Sequence, residues 1–143
     1  FKRFGAAGYV AAVLTTVVNL EHPIDVIRID DDPHPDARPA AFLSFSNSQY
    51  TGGAMRMAPD ADPGDGFVDV IRCGAIGRAD LVATFPKIFR GAHVEHRLVE
   101  TRRARRVEFL EPREQPCMID GEIVPLTLRS LEVLPGVLEV ARR

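Results

Sequence analysis

The sequence predicts a mainly β fold, an antiparallel sandwich with flanking helices. The second half of the chain consists of short apolar segments separated by Pro and Gly, a pattern typical of a sandwich or meander. Two other segments carry apolar residues at helical spacing instead. With 143 residues, 45% of them hydrophobic, the chain is long enough to bury one core. We therefore expect a single domain over residues 1–143.

The first half of the chain predicts one helix and two strands. Residues 4–18 are rich in Ala, Val and Leu, contain no Pro, and place apolar side chains at helical spacing. A strand is predicted around Ile24–Ile29, followed by a loop rich in Asp and Pro as far as Pro39. The apolar run Ala40–Ser46 predicts a buried strand, and residues 47–66 predict a long segment of turns.

The second half begins with a strand over Phe67–Arg72 and a helix over Arg78–Phe89. Gly91 follows that helix, and a glycine in this position commonly ends one. The rest is predicted to be β structure, in short segments at residues 98–101, 105–110, 117–119, 122–124, 128–134 and 137–140.

Composition excludes several classes of protein. A formal net charge of −2 argues against a dedicated nucleic-acid binder, because such proteins are usually strongly basic. The two cysteines are too few for a disulfide scaffold, so a reducing cytoplasm is the expected compartment. No apolar run approaches the roughly 20 residues that a membrane-spanning helix needs.

The strongest candidate for a reactive site is the segment Ile119-Asp120-Gly121-Glu122, in which two carboxylates flank a glycine. In an extended strand, alternate side chains share a face, so Asp120 and Glu122 would project together, roughly 7 Å apart at the backbone. Such a pair can bind magnesium or accept a proton from a hydroxyl. The alternative is structural: Asp-Gly is a common hairpin turn, and Glu122 would then be a solvated strand residue.

A second acidic pair lies in Asp62-Pro63-Gly64-Asp65-Gly66. The carboxylates of Asp62 and Asp65, with the carbonyl of Phe67, could give three oxygens to a magnesium ion completed by water. The structural alternative is a loop whose turns are held by its own polar side chains.

Further charged and small residues have structural explanations that we favour over functional ones. His93 and His96 have no Cys or third His nearby, and glycines after Asn47 fit a turn. Four arginines would alternate between the two faces of a strand and form a solvated surface, with attraction to anionic lipid as the functional alternative. The aspartates before Pro39 are expected to be solvated. The residues concerned are Gly52, Gly53, Arg102, Arg103, Arg105, Arg106, Asp30, Asp31, Asp32 and Asp36.

Several motifs in one order resemble the C-terminal domain of the diacylglycerol kinase and sphingosine kinase family of lipid kinases, including its bacterial members. This likeness implies the antiparallel β-sandwich of the NAD kinase and diacylglycerol kinase C-terminal type. Gly52-Gly53-Ala54 departs from the pattern, since relatives often have a third glycine there. The motifs are Asn47–Met55, Ala58–Val70, Gly91–His93, Ile119–Glu122 and Leu134–Leu138. The predicted opening helix at Gly5–Tyr9 also resembles the helix that leads into that domain.

The resemblance implies an enzyme of two domains that transfers phosphate from ATP to a lipid hydroxyl. It implies that Asp120 is the general base and that Glu122 lies near the magnesium of the nucleotide. It also implies a structural magnesium at Asp62, Asp65 and the Phe67 carbonyl. ATP would be bound mainly by an N-terminal domain carrying a Gly-Gly-Asp-Gly-Thr loop, which this sequence lacks.

This chain would therefore be the substrate-side, C-terminal domain, inactive when isolated. Its partners would be a lipid substrate, and ATP held with the N-terminal domain, but no nucleic acid. Peripheral contact with a membrane and assembly into a homo-oligomer stay open. Two rival functions also stay open: a non-catalytic module that binds lipid or protein, and part of a kinase for a soluble acceptor such as NAD.

Overall fold

The computed structural model describes residues 19–52, 54–120 and 122–137. The predicted helix over 4–18 and residues 138–140 of the last predicted strand lie outside these ranges. Within these ranges, one α-helix, α1, covers Arg78–Thr84, and two 3-10 helices cover Phe85–Arg90 and Ala92–Glu95. The strands are β1 Ile27–Ile29, β2 Ala40–Ser46, β3 Val68–Gly74, β4 Val99–Ala104, β5 Arg106–Phe109, β6 Glu114–Ile119, β7 Glu122–Thr127 and β8 Ser130–Glu132.

The strands form three antiparallel sheets. β3 is the central strand of a sheet with β2 and β4, and β5 is the central strand of a sheet with β1 and β8. β6 and β7 pair with each other in a separate two-stranded sheet. The mainly β class with a flanking helix, which the sequence predicts, is confirmed.

Two hydrophobic clusters lie on opposite faces of β3. One includes Val68 and Val70 and contains side chains of β1, β4 and β5, with the rings of Phe45 and Phe109 in edge contact at 5.8 Å. The other includes Ile71 and joins the sheet to residues of the long loop and the helical segment. Because both faces of β3 are covered, all seven of its residues are buried.

The helix predicted over Arg78–Phe89 is wrong in its second half. The α-helix ends at Thr84, and a 3-10 helix continues from Phe85 to Arg90. Pro86 explains the change, because proline has no amide hydrogen and clashes with the preceding turn of an α-helix. Gly91 follows with φ 74°, the left-handed conformation expected of a glycine that ends a helix.

The acidic loop before Pro39 is not merely solvated, contrary to our prediction. One carboxylate oxygen of Asp30 accepts hydrogen bonds from the backbone amides of Arg105 and Arg106, each at 2.8 Å. Asp32 pairs with Arg102 at 3.1 Å. These contacts hold the loop against the corner between β4 and β5.

Asp36 in the same loop belongs to a partly buried charge network. The guanidinium of Arg72 lies 3.3 Å from the Asp36 carboxylate and donates a hydrogen bond of 2.7 Å to the carbonyl of Pro39. Arg38 bridges Asp36 and Glu100 at the surface. Arg38, followed by Arg72, holds the pKa of Asp36 down to about 2. The network neutralises a charge that central strand β3 would otherwise bury alone.

Candidate functional site

The hairpin of β6 and β7 carries the acidic pair that the sequence singles out. Its register runs from Glu114 opposite Thr127 to Ile119 opposite Glu122, so only two residues connect the strands. Asp120, one of the two, has φ 49°. Positive φ and an Asp-Gly sequence are typical of the tight turns that join antiparallel strands.

The premise that Asp120 and Glu122 share one face of one strand is wrong. Asp120 lies in the turn because β6 ends at Ile119, and Glu122 is the first residue of β7. Both side chains are exposed at the tip of the hairpin. Among the described residues, neither carboxylate has a hydrogen bond or ion pair. The turn therefore presents two unengaged carboxylates to its surroundings.

Apolar side chains surround these carboxylates. Met118 and Ile123 lie opposite each other in the ladder and are each 66% exposed, and Ile119 is 51% exposed. A hairpin with no third strand is only marginally stable in water, and adjacent exposed apolar residues often mark a contact surface. The tip thus combines acidic chemistry with a surface suited to contact with another molecule or domain.

Asp62 and Asp65 shape the loop that precedes β3. One oxygen of Asp62 accepts a hydrogen bond from the backbone amide of Gly64, and one oxygen of Asp65 accepts a hydrogen bond from the backbone amide of Phe67, both at 2.8 Å. The other oxygen of Asp65 pairs with Arg103. The structural alternative, a loop held by its own polar side chains, therefore describes these contacts.

This arrangement does not fit the predicted magnesium ion. A guanidinium occupies the Asp65 oxygen that a cation would need, and Arg103 also lies 4.5 Å from the centre of the Phe67 ring. Within the described ranges, no three acidic, His or Cys side chains are grouped to bind a metal. The magnesium site at Asp62, Asp65 and the Phe67 carbonyl stays a prediction from sequence.

Asp69 is a buried acid that the sequence reasoning did not single out. It is 5% exposed in β3, opposite Ser46 on one side and Arg103 on the other. Burial raises the pKa of Asp69, and the nearby Asp65 and Asp60 raise it further against the attraction of Arg103. The signal was available in the sequence, because a charged residue interrupts the apolar run of a strand predicted to be buried.

The turn after Asn47 is a compact loop, as predicted. Thr51 and Met55 exchange two backbone hydrogen bonds, of 2.8 and 3.2 Å, across Gly52. Gly52 has φ 62°, and a Cβ there would lie 2.9 Å from the terminal carbon of Met55. The positive φ favours glycine here, whereas the Met55 methyl is the end of a flexible side chain that can move aside. Asn47 is exposed.

Both histidines of the 93–96 segment have structural roles. His93 is 1% exposed, and its Nε2 donates to the carbonyl of Met57 at 3.0 Å, which fixes the tautomer. Burial lowers the pKa of His93. Nδ1 of His96 accepts a hydrogen bond of 3.2 Å from the backbone amide of Leu98. The His93 contact joins the long loop to the segment after α1, and the His96 contact shapes the turn before β4.

The four arginines do not form one basic patch. Arg102, Arg103 and Arg106 pair with Asp32, Asp65 and Glu108, respectively. The guanidinium of Arg105 lies 4.8 Å from the centre of the Phe67 ring. Since nearby acids offset most of this charge, the solvated surface that we predicted describes these residues.

The fold is an antiparallel β domain with an exposed acidic hairpin, and the comparisons identify its family. The model of the YegS C-terminal NAD kinase beta sandwich-like domain matches residues 2–142. The chain belongs to this family, and the predicted resemblance is confirmed.

Relatives with this domain are named diacylglycerol kinases. Proteins of that name from two strains of Mycobacterium tuberculosis are 29% identical to this chain over 138 residues, which is 96% of it. The chain spans 44% of the length of these curated relatives.

Solved structures from Bacillus anthracis strain Sterne have the same fold. One, described as a candidate diacylglycerol kinase, is 20% identical with a TM-score of 0.59, covering 94% of this chain and 44% of the other. A crystal structure of a diacylglycerol kinase from the same strain is 16% identical with a TM-score of 0.55. That alignment covers 87% of this chain and 44% of the other.

None of the helices among the described residues is both long and apolar enough to cross a bilayer.

Proposed function

We propose that this chain is the acceptor-side domain of an ATP-dependent lipid kinase. The substrate would be a diacylglycerol, a sphingoid base or a similar lipid hydroxyl. The observation that carries the proposal is the membership of residues 2–142 in a domain family whose curated relatives are named diacylglycerol kinases. The exposed carboxylates at the hairpin tip supply chemistry that such a reaction needs.

In this proposal Asp120 accepts the proton of the lipid hydroxyl. A hydroxyl is a weak nucleophile until a base such as a carboxylate accepts its proton. Among the described residues, no ion pair occupies the carboxylate of Asp120. A turn position also lets the side chain reach beyond the ends of both strands. Proton transfer would therefore occur at the tip of the hairpin.

Glu122 is proposed to face the nucleotide. Its exposed carboxylate is a hard oxygen ligand of the kind that magnesium prefers, and the ion would neutralise charge on the transferred phosphate. The triphosphate itself would be held by the N-terminal part of the protein, because this sequence contains no Gly-Gly-Asp-Gly-Thr or Walker-type loop. Glu122 thus needs the nucleotide domain opposite it in order to act.

Two rival functions make different predictions. A soluble-acceptor kinase of the NAD type fits the β-sandwich, but the curated relatives are named for diacylglycerol, which favours the lipid. A non-catalytic binding module would need only the apolar surface and would have no use for the unengaged carboxylates.

Transfer of label from radioactive ATP tests the proposal. We expect the complete protein, with its nucleotide-binding part, to label diacylglycerol or a sphingoid base, and the isolated chain to label neither. Labelling of NAD without lipid would replace our proposal with the soluble-acceptor kinase. Lipid binding without phosphate transfer would support the non-catalytic binding module. Robust transfer by the isolated chain would contradict our proposal that the N-terminal part holds the ATP.

A further inference from the structure

The helical segment from Arg78 to Arg90 exposes some apolar side chains in addition to those it buries. Leu81, Thr84 and Ile88 follow one another at helical spacing on the inner side, where Thr84 and Ile88 are buried. Val82 and Phe89 lie outside that stripe and are 52% and 43% exposed. The segment therefore has a second apolar stripe, which faces outward.

An aromatic pair gives this outer stripe a defined shape. The rings of Phe85 and Phe89 meet edge to face, with centroids 6.0 Å apart and planes at 89°. Pro86, which lies between them in sequence, is also exposed. We call Val82, Phe85, Lys87, Phe89 and Arg90 the aromatic-basic surface.

The charged side chains closest to these rings in sequence are basic. From Leu81 to Val94 the sequence has two basic residues, Lys87 and Arg90, and no Asp or Glu. Both are exposed, and neither forms an ion pair in the part of the chain that the structure describes. Acids flank this stretch on both sides: Asp80, whose carboxylate lies 4.0 Å from Arg97, and the exposed Glu95, five residues after Arg90. This local charge contrasts with the chain as a whole, whose net charge is −2.

We infer that the aromatic-basic surface docks this domain onto an anionic lipid bilayer. Apolar and aromatic side chains beside Lys and Arg are typical of helices that lie in the membrane interface. Anionic lipid complements Lys87 and Arg90, and the head-group region accommodates aromatic rings. The choice of a bilayer as the occupant rests in part on the proposed function, since a lipid kinase must meet its substrate there.

The other exposed surfaces fit a bilayer less well. Three of the four arginines around the corner of β4 and β5 are paired with acids, so they offer little net charge. The hairpin tip is apolar but carries Asp120 and Glu122, which anionic lipid would repel. The aromatic-basic surface joins the exposed ring of Phe89 to two basic side chains that have no ion pair among the described residues.

Sedimentation with vesicles tests the inference by measuring binding instead of turnover. We expect the chain to bind phosphatidylcholine vesicles containing about one-third phosphatidylglycerol more tightly than pure phosphatidylcholine vesicles. Lys87→Gln with Arg90→Gln should weaken binding to the anionic vesicles by about 25-fold, at roughly fivefold per charge. Val82→Ser with Phe89→Ser should weaken it by about tenfold or more.

Matched controls are Arg106→Gln, which removes a charge that is ion-paired with Glu108, and Ile24→Ser, which removes an exposed apolar side chain elsewhere. Both should bind like the wild type, and unfolding curves check that every variant is folded. Absence of binding by the wild type, or unchanged binding by both double variants, would overturn the inference. A dimer that Val82→Ser and Phe89→Ser abolish, without vesicle binding, would assign the surface to a second copy instead.

The two proposals fail in different ways. If docking is wrong but the kinase is right, the complete protein still phosphorylates lipid dispersed in detergent micelles, and the double variants keep that rate. If the kinase is wrong but docking is right, vesicle binding persists without any transfer of phosphate.

Discussion

Replacing Asp120 by Asn in the complete protein is expected to abolish most lipid phosphorylation. Loss of a positioned general base typically lowers the rate by about 10²–10⁴-fold. Asn matches Asp in shape and is one of the few residues that tolerate the φ of 49° at this position. The substitution therefore removes the proton acceptor while it preserves the turn.

Steady-state rates with radioactive ATP and dispersed lipid measure this effect, and thermal unfolding confirms that the variant is folded. Asp31→Asn is the matched control, because Asp31 is also an exposed loop carboxylate but lies in the acidic loop after β1. A wild-type rate in Asp120→Asn would eliminate the proposed base. If Glu122→Gln alone lost the rate, the base would have to be assigned to Glu122.

The largest effect on stability is expected from Asp36→Ala. The side chain of Arg72 is only 10% exposed, and that of Asp36 is 15% exposed. Removing one partner of a buried ion pair leaves the charge of the other partner uncompensated. Glu100, at 3.9 Å from Arg72, and the carbonyl of Pro39 still compensate part of it. We expect a loss of about 2–3 kcal/mol in the free energy of unfolding.

Chemical denaturation measures this loss, with Asp31→Ala as a control expected to change stability by less than about 0.5 kcal/mol. Adding Arg72→Met should recover part of the loss, since the double variant has no stranded charge. A loss in Asp36→Ala no larger than in the control would show that the network does not support β3.

Acid should reproduce this destabilisation. The pKa of Asp36 lies at about 2 in the folded chain, below its ordinary value of 3.8. The unfolded chain therefore binds the proton more readily, and the contribution of Asp36 is present above pH 3.8 and lost as pH falls towards 2. The stability of Asp36→Ala should fall less steeply than that of the wild type across this window.

Local patterns predicted the parts of the fold that depend on neighbouring residues. The apolar runs at β2 and β3 and the glycine after the helical segment were located correctly, because burial and turn geometry determine each of them locally. The end of α1 was misplaced because the apolar pattern continues through Pro86, whose effect on the backbone decides the boundary. At the hairpin, the alternative of an Asp-Gly turn proved correct.

Contacts between distant residues could not be predicted in the same way. Asp30 caps amides 75 and 76 positions further along the chain, and His93 bonds a carbonyl 36 positions back. The residue types at Asp30 and His93 are compatible with solvated positions, so only the folded topology shows their roles. The same limit applied to Asp65, whose partner Arg103 occupies the oxygen assigned to a metal.

We expect the hairpin tip to face the nucleotide in the complete protein. Amide hydrogen exchange over residues 114–127 tests this expectation most directly. We expect exchange at this exposed hairpin to slow when magnesium and a non-hydrolysable ATP analogue are added, because the tip would then be covered. Slowed exchange in the nucleotide-binding part, with residues 114–127 unchanged, would contradict the claim.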